Sequence, residues 1–272
     1  MDAIWSGPTR FTIDGVDFAC SFAPSTDDLL CVRKPKPLVH STLRLLAAEE
    51  PRRIVEFGIA SGGSTALLAL AARPERMVAC ELAPERVVPL DRVLARAGLT
   101  ESVVCHYGVD QGERDGLGPI LDDALGDAAI DLVVDDASHR LVETRACFET
   151  VFPRLRPGGV YVIEDWCWQS RLAHAVAHPD RPRPTPPDSA VEGTAAGTTD
   201  LGDYVRANTG LRPLAALTLE LVLVRACSDG VIDELVIDEH WVVVRRGRAP
   251  VDADGFALAD HYTDRDGLLG VP

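Results

Sequence analysis

The chain has 272 residues and a formal net charge of −15, from 27 basic and 42 acidic residues. This excess of negative charge disfavours phosphate-rich partners, so we expect no nucleic acid substrate. No run of about 18 apolar residues occurs and Met1-Asp2-Ala3 opens no signal peptide, which predicts no membrane association and a cytoplasmic protein with one large α/β domain.

The first 36 residues are predicted to form an N-terminal extension. Apolar residues alternate from Phe11 to Phe18 around Asp14-Gly15, a pattern typical of a β-hairpin. The motif Lys34-Pro35-Lys36-Pro37 then marks the entry to a first core helix from Leu38 to Ala48. His40 on this helix is either a substrate contact or an ordinary packed histidine.

A glycine-rich turn follows the first predicted core strand, in the segment from Arg53 to Ser64. Gly58, Gly62 and Gly63 lie between this strand and the helical run TALLALAA. Such a turn lets a ligand approach the backbone and directs a helix N-terminus at a negative group. The spacing is not that of a dinucleotide fingerprint, which would need glycine at Ala60, and it indicates a nucleotide-type cofactor only weakly on its own.

Acidic and polar residues end the next two predicted strands. The run Met77 to Cys80 ends in Glu81, which can accept hydrogen bonds from the two hydroxyls of a ribose. The run Ser102 to Tyr107 leads into a turn containing Asp110 and Gln111, which could face an adenine ring. The alternative for each acid is a helix cap, which three successive strand ends make less attractive.

Two acidic pairs carry most of the functional information. Asp135/Asp136 and Glu164/Asp165 each close a short β-branched run, Ile130 to Val134 and Val160 to Ile163. The segment Arg140 to Leu155 between them has roughly helical spacing before Pro157-Gly158-Gly159 ends the helix, which predicts a βαβ unit.

Parallel strands joined by a helix end at the same edge of a sheet, so these carboxylates can converge if the two strands are neighbours. Clustered carboxylates repel one another unless a cation neutralises them, and an all-oxygen set suits Mg²⁺ before Ca²⁺ or Mn²⁺. The alternative is that these acids cap the helices that follow.

The remaining sequence is predicted to add a lid, a helix and two strands. The proline-rich segment 166–208 fits a substrate lid or a flexible loop, and Trp166 and Trp168 fit either acceptor walls or core packing. Leu214 to Val224 is apolar nearly all round and could form a subunit interface, so we expect a homo-oligomer. Two strands follow, the last antiparallel, and residues 251–272 form a tail without an assigned role. The cysteines, odd in number and without a C-x-x-C motif, are predicted to be packed thiols rather than disulfides or a zinc site.

Taken together, these motifs resemble the class I S-adenosylmethionine (SAM) methyltransferases. The pattern E-x-G-x(3)-G-G-S, an acid ending the second strand, G-x-D-Q, D-D-x-S-H and E-D is most similar to the metal-dependent sugar O-methyltransferases of macrolide biosynthesis and to cephalosporin-hydroxylase-like proteins. The resemblance covers about Pro37 to Asp165. It implies an α/β fold with a doubly wound, Rossmann-like, mostly parallel sheet and a methyltransferase domain over residues 37–250.

The resemblance also implies roles for individual residues. Asp136, Glu164 and Asp165 would bind Mg²⁺, and His139 would be the general base. Asp135 would contact the sulfonium side of SAM. The other predicted cofactor-binding residues are Glu56, Gly58, Gly62, Gly63 and Ser64 at the methionine end, Glu81 at the ribose, and Asp110 and Gln111 at the adenine.

The expected activity is methylation of a hydroxyl on a small-molecule natural product, with a sugar or vicinal diol as acceptor. Two alternatives are an oxygenase component of the cephalosporin-hydroxylase type and a non-catalytic SAM-binding subunit. The joint presence of a base and three ligands argues against the non-catalytic alternative.

Overall fold

The structure is a computed structural model that describes residues 3–126, 128–178, 180–181, 190–192, 211–253 and 255–264. Its N-terminal sheet confirms the hairpin expected around Asp14-Gly15, because both residues have positive φ, 50° and 76°, and the strands on either side pair antiparallel. The strands of this sheet, in the spatial order β1-β2-β3-β4, are β1 Ile4–Trp5, β2 Arg10–Ile13, β3 Val16–Cys20 and β4 Leu30–Val32.

A second sheet forms the centre of the molecule. Its strands in chain order are β5 Arg53–Phe57, β6 Arg76–Glu81, β7 Val103–Tyr107, β8 Ile130–Asp135, β9 Leu155–Glu164, β10 Ile232–Ile237 and β11 Trp241–Arg246. The spatial order is β10-β11-β9-β8-β5-β6-β7. Strands β5 to β9 pair in parallel and β11 pairs antiparallel to β9 and β10. This is the predicted mostly parallel sheet with an antiparallel last strand.

Helices cover both faces of the central sheet, so two apolar cores form. Helices α1, α2 and α3 pack with the N-terminal sheet on one face, and α4, α5 and α7 pack on the other. The described helices are α1 Lys36–Glu49, α2 Gly63–Ala72, α3 Val88–Arg96, α4 Arg114–Leu125, α5 Leu141–Val151, α6 Trp168–Ala177 and α7 Ala215–Cys227. Alternate residues of a buried strand serve the two cores, as Ile54 and Val55 do in β5.

The βαβ unit that carries the acidic pairs is present, with one boundary different from the prediction. Helix α5 ends at Val151, a short 3₁₀ turn Phe152–Arg154 follows, and β9 begins at Leu155, so Pro157-Gly158-Gly159 lies inside the strand. Pro153 accounts for the early end, because proline cannot donate the backbone hydrogen bond that would extend the helix.

The segments added to the central domain, the predicted lid and helix α7, are described to different extents. Of the predicted lid segment 166–208, residues 179, 182–189 and 193–208 lie outside the described residues. Helix α6 within this segment has no buried residue. Helix α7 packs on one side and exposes Leu219 and Val222 on the other.

All seven cysteines are free thiols and most are buried, as predicted. Within the described residues, no helix is long and apolar enough to cross a membrane.

Candidate active site

A cavity of about 590 Å³ opens at the carboxyl edge of the central sheet. The turn after β5, the end of β6, the loop after β7 and the loop after β8 form most of its wall. The N-terminal extension supplies Phe22, Arg33 and Lys34 to the same wall. Because β5, β6, β8 and β9 are parallel neighbours, their carboxyl ends bring side chains distant in sequence to one edge.

The glycines of the turn after β5 permit close backbone packing. A Cβ on Gly58 would lie 2.2 Å from the Asp136 carbonyl oxygen, and one on Gly63 would lie 2.2 Å from the Cys31 carbonyl oxygen. Gly62 has φ of +83°, and a Cβ there would meet the Leu90 side chain at 2.9 Å. Gly58 and Gly63 line the cavity, whereas Gly62 faces α3.

Glu56 and Ser64 form a buried pair beside this turn. The Ser64 hydroxyl donates to Glu56 Oε1, and Glu56 Oε2 has no hydrogen-bond partner among the described residues. Burial raises the pKa of Glu56 to about 7, against the opposing effect of the hydrogen bond from Ser64. The second oxygen is therefore a buried acceptor without a partner, and it lies behind the cavity wall, because Glu56 is not among the residues that line the cavity.

Glu81, Asp110 and Gln111 line the cavity as predicted, and each also holds backbone in place. Glu81 Oε2 accepts the backbone N–H groups of Ile59 and Ala60 at 3.0 and 2.8 Å. Asp110 Oδ1 accepts the Gly112 N–H at 2.8 Å. Gln111 Oε1 accepts the Ser138 N–H in the loop after β8 at 3.3 Å. Glu81 thus links the ends of β6 and β5, and Gln111 links the ends of β7 and β8.

Asp135 is a predicted site residue that is buried rather than exposed to the cavity. It is 2% exposed, it is not among the cavity-lining residues, and the Tyr161 hydroxyl donates to its Oδ2 at 2.9 Å. Burial raises the pKa of Asp135 to about 6, although the hydrogen bond from Tyr161 opposes the shift. Its carboxylate faces the helix side of the sheet rather than the open cavity.

Lys34 joins two of the predicted metal ligands. Its Nζ donates to Asp136 Oδ2 at 2.5 Å and to Glu164 Oε2 at 2.6 Å, and the lysine side chain is 5% exposed. Burial lowers the pKa of Lys34, but the two carboxylates outweigh it and hold the pKa above its ordinary value. Burial, followed by the charge of Asp136, raises the pKa of Glu164 to about 8, because one ammonium cannot fully neutralise two carboxylates.

His139 faces the other side of the acidic cluster. Its Nε2 lies 3.7 Å from Asp136 Oδ1 and 4.0 Å from Asp165 Oδ2. Among the described residues, ligand atoms of Asp136, His139 and Asp165 lie within 4.8 Å of one another. His139 and Asp165 both have left-handed backbone, with φ of 53° and 52°, a conformation that costs free energy in non-glycine residues and is concentrated at functional sites. The Trp168 indole donates to the His139 carbonyl at 3.0 Å.

The predicted residues therefore lie at one edge of the sheet, but four of them do not line the cavity. Gly62 faces α3, Asp135 faces the opposite core, Glu56 is buried behind the glycine turn, and Glu164 is bound by Lys34. Sequence reasoning missed Lys34 and Arg33 as cavity residues. One signal was available: Lys34 and Lys36 are the only two lysines in the chain, where every other basic residue is arginine.

Comparison with known proteins gives the class of this domain. Residues 55–166 match the profile of a family described as a methyltransferase domain. This part of the chain is similar to methyltransferase domains. The predicted resemblance to methyltransferases is thereby confirmed for the segment that contains the glycine turn and both acidic pairs.

Two curated relatives match short stretches of the chain. An 8-demethyl-8-alpha-L-rhamnosyl tetracenomycin-C 2'-O-methyltransferase of Streptomyces olivaceus is 53% identical over 45 residues, 16% of this chain and 11% of the relative. A mycinamicin VI 2''-O-methyltransferase of Micromonospora griseorubida is 54% identical over 35 residues, 13% of this chain and 9% of the relative. The matches thus span about a tenth of each relative's length.

A solved structure supports the fold. The O-methyltransferase TomG of Streptomyces achromogenes, in complex with SAM, superposes with a TM-score of 0.51 at 23% identity. The superposition covers 80% of this chain and 82% of that protein. The Rossmann-like methyltransferase fold expected from the sequence is confirmed.

Proposed function

We propose that the protein is a SAM-dependent O-methyltransferase that methylates a hydroxyl of a small-molecule natural product, with a sugar or other vicinal diol as acceptor. One observation carries the proposal: the glycine turn of a methyltransferase domain and a cluster of two carboxylates and a histidine face the same cavity. The curated relatives are named as O-methyltransferases of a rhamnosyl tetracenomycin-C and of mycinamicin VI, and these names support the acceptor class.

The cavity wall offers contacts for each part of SAM. The Ser64 hydroxyl, with the buried Glu56 carboxyl behind it, suits the methionine end, Glu81 suits the ribose, and Asp110 and Gln111 suit the adenine. When bound, SAM supplies the methyl group. Asp135 stays our candidate for stabilising the sulfonium, through charge rather than contact, since it lies behind the cavity wall.

The donor set fits a hard divalent cation such as Mg²⁺ in part. Asp136 Oδ1 and the exposed Asp165 carboxylate are free to bind one, and Mg²⁺ in proteins is commonly held by one or two carboxylates and waters. Glu164, the third ligand that the resemblance implies, is occupied by Lys34. When bound, the cation would orient vicinal acceptor oxygens and favour ionisation of the reacting hydroxyl.

His139 is the residue that would take the hydroxyl proton, at Nε2. Its imidazole is 28% exposed at the cavity wall, and Asp136 and Asp165 on either side would stabilise the imidazolium that results. The left-handed backbone at His139 and the hydrogen bond from Trp168 to its carbonyl fix the direction of the ring. Positioning of acceptor and methyl donor would supply much of the remaining acceleration.

We further propose that segment 166–208 covers the acceptor and that the protein forms a homo-oligomer. One described part of the segment supports the lid: Glu192 pairs through its backbone with Cys20 and Phe22, and Phe22 lines the cavity. The exposed Leu219 and Val222 of α7 support an interface between subunits.

Mass spectrometry of the reaction product tests the proposal. The protein is incubated with SAM carrying a deuterated methyl group and a panel of diol-bearing glycosides, with Mg²⁺ or with excess chelator. We expect a labelled methyl on an acceptor oxygen with Mg²⁺ and none with chelator. A gain of oxygen would indicate the hydroxylase alternative, and binding of SAM without turnover of any diol would favour the non-catalytic subunit.

A further inference from the structure

Lys34 occupies a position that the metal-dependent function does not require and that no family match covers, because the matched residues begin at 55. Its ammonium lies between Asp136 and Glu164, at 2.5 and 2.6 Å from their oxygens. Glu164 is 3% exposed and the lysine side chain 5%. A lysine buried this deeply is rare unless it is paired, so its placement is a specific feature of the site.

The two oxygens of Asp136 face different partners. Oδ2 accepts from Lys34, and Oδ1 faces His139 at 3.7 Å on the cavity side. Asp165 lies on that same side, with Oδ2 at 4.0 Å from His139 Nε2. The acidic cluster is therefore divided into a half closed by the ammonium and a half open to the cavity.

Charge gives the same division. The Lys34 ammonium already lies between the carboxyl groups of Asp136 and Glu164, so these two groups have a positive partner without any bound metal. An ammonium also repels a divalent cation at short range, and this repulsion is strong in a poorly solvated site.

The geometry points to Lys34 as a built-in cation that keeps Glu164 out of the metal's coordination shell and confines a divalent cation to Asp136 Oδ1 and Asp165. This inference rests on the proposed metal-dependent function. Lys34 acts as a positioning residue, because it sets the direction of Asp136 and the number of carboxylates that the metal can reach. The consequence is an unusual one: removal of a positive side chain should create a stronger metal site.

Calorimetric titration with Mn²⁺, a spectroscopically visible substitute for Mg²⁺, tests this inference on the full chain. Lys34→Met should bind Mn²⁺ about tenfold more tightly than the wild type or better, because Glu164 becomes an additional ligand and a nearby positive charge is lost. Lys36→Met is the matched control, because Lys36 lies over the Trp5 ring outside the site and its loss should not change Mn²⁺ affinity. Affinity for S-adenosylhomocysteine (SAH), the demethylated product of SAM, should be unchanged in both variants, which verifies that they are folded.

Glu164→Gln completes a double-mutant cycle with Lys34→Met. It tests whether Glu164 is a metal ligand even if Lys34→Met does not fold. With Lys34 present, Glu164→Gln should leave Mn²⁺ affinity within about threefold of wild type, because Glu164 is not a ligand. In Lys34→Met/Glu164→Gln the gain should disappear. The Mn²⁺ electron paramagnetic resonance spectrum should change between wild type and Lys34→Met, which a purely structural role of Lys34 would not produce.

Two results would overturn the inference. One is a large loss of Mn²⁺ affinity in Glu164→Gln with Lys34 in place, which would make Glu164 a metal ligand. The other is an unchanged or weaker affinity in folded Lys34→Met. Failure of the proposed methyl transfer would be recognised separately, since the product assay reports no labelled methyl while these affinities are measured without an acceptor.

Discussion

Strand β8 carries an aspartate near each end, and the two lie in opposite environments. Asp131 at the amino end accepts hydrogen bonds from the Arg52 and Arg53 backbone N–H groups at 2.9 and 2.8 Å and from Arg156 Nε at 2.6 Å. Burial raises its pKa, but these donors outweigh burial and hold the pKa below its ordinary value. Asp135 at the carboxyl end has its pKa raised to about 6 by burial.

Raised pKa values are also found in other strands at the carboxyl edge of the sheet. At the carboxyl edge, Glu56 and Glu164 also have pKa values raised by burial, to about 7 and about 8. An acid whose pKa is raised in the folded protein destabilises the fold at neutral pH, and one whose pKa is lowered stabilises it. The amino edge therefore serves stability, and the carboxyl edge retains unfavourable charge that a cofactor and a cation can use.

The largest difference between the two edges should be seen in Asp136→Asn. We expect a loss of about 10³ or more in kcat, because this side chain faces both His139 and the proposed cation. Affinity for SAH should change little, because the cation serves the acceptor. Steady-state kinetics and calorimetry with SAH measure both quantities, and an Asp136→Asn enzyme with normal turnover would remove the basis for a functional carboxyl edge.

His139→Ala should follow, with a loss of roughly 10² to 10⁴ in rate, the usual range for a general base. SAH and Mn²⁺ binding should persist, because the base role leaves the metal on the carboxylates. Isothermal titrations alongside turnover assays check this. Loss of Mn²⁺ binding would instead make His139 a third ligand, as its distance from Asp136 and Asp165 permits.

Asp135→Asn should stabilise the protein in a pH-dependent way. The raised pKa means that the folded state binds the proton more tightly, so wild-type stability falls as pH rises from about 4 through about 6. The asparagine side chain can still accept the Tyr161 hydroxyl hydrogen bond without carrying a charge. Urea unfolding should show a gain on the order of 2 kcal/mol at pH 8 and little change at pH 4. No gain in the free energy of unfolding at pH 8 would mean that the charged form of Asp135 does not destabilise the fold.

Asp131→Asn should change stability in the opposite direction and should have the smallest effect on turnover. We expect a loss of about 2 kcal/mol at pH 7, because three donors would lose their charged acceptor. The lowered pKa means that the stabilisation is complete above about pH 5 and is lost as pH falls through the folded pKa. Urea unfolding from pH 3 to pH 7 measures this, and kcat should stay at the wild-type value. A loss of activity without a loss of stability would break the division between the two edges.

The sequence was sufficient to predict the strands of the central sheet and the edge at which a ligand binds. β-branched runs that end in acids are typical of parallel strands at such an edge. The two acid-ended strands predicted that Asp136 and Asp165 would converge at one edge of the sheet, and the family resemblance added His139 to them. Lys34 could not be predicted in this way, because it reaches the site from the N-terminal extension and is separated from Asp136 by 102 positions in the sequence.

Gly62 illustrates another limit. The sequence groups it with the cofactor turn, yet its open side faces Leu90, so Gly62→Val would disturb the packing of α3 rather than block the cavity directly. Periodicity and motif spacing locate the backbone of such a turn, but the direction of each Cα–Cβ bond depends on φ and ψ, which only the structure provides.

A crystal structure with SAH and Mn²⁺, with the anomalous scattering of manganese measured, tests the central claim most directly. We predict SAH along the Gly58 to Ser64 turn, with manganese within about 2.2 Å of Asp136 Oδ1 and an Asp165 oxygen. Lys34 should remain on Glu164, and His139 Nε2 should stay outside the coordination shell. Manganese bound to Glu164, or SAH bound away from this cavity, would contradict the account.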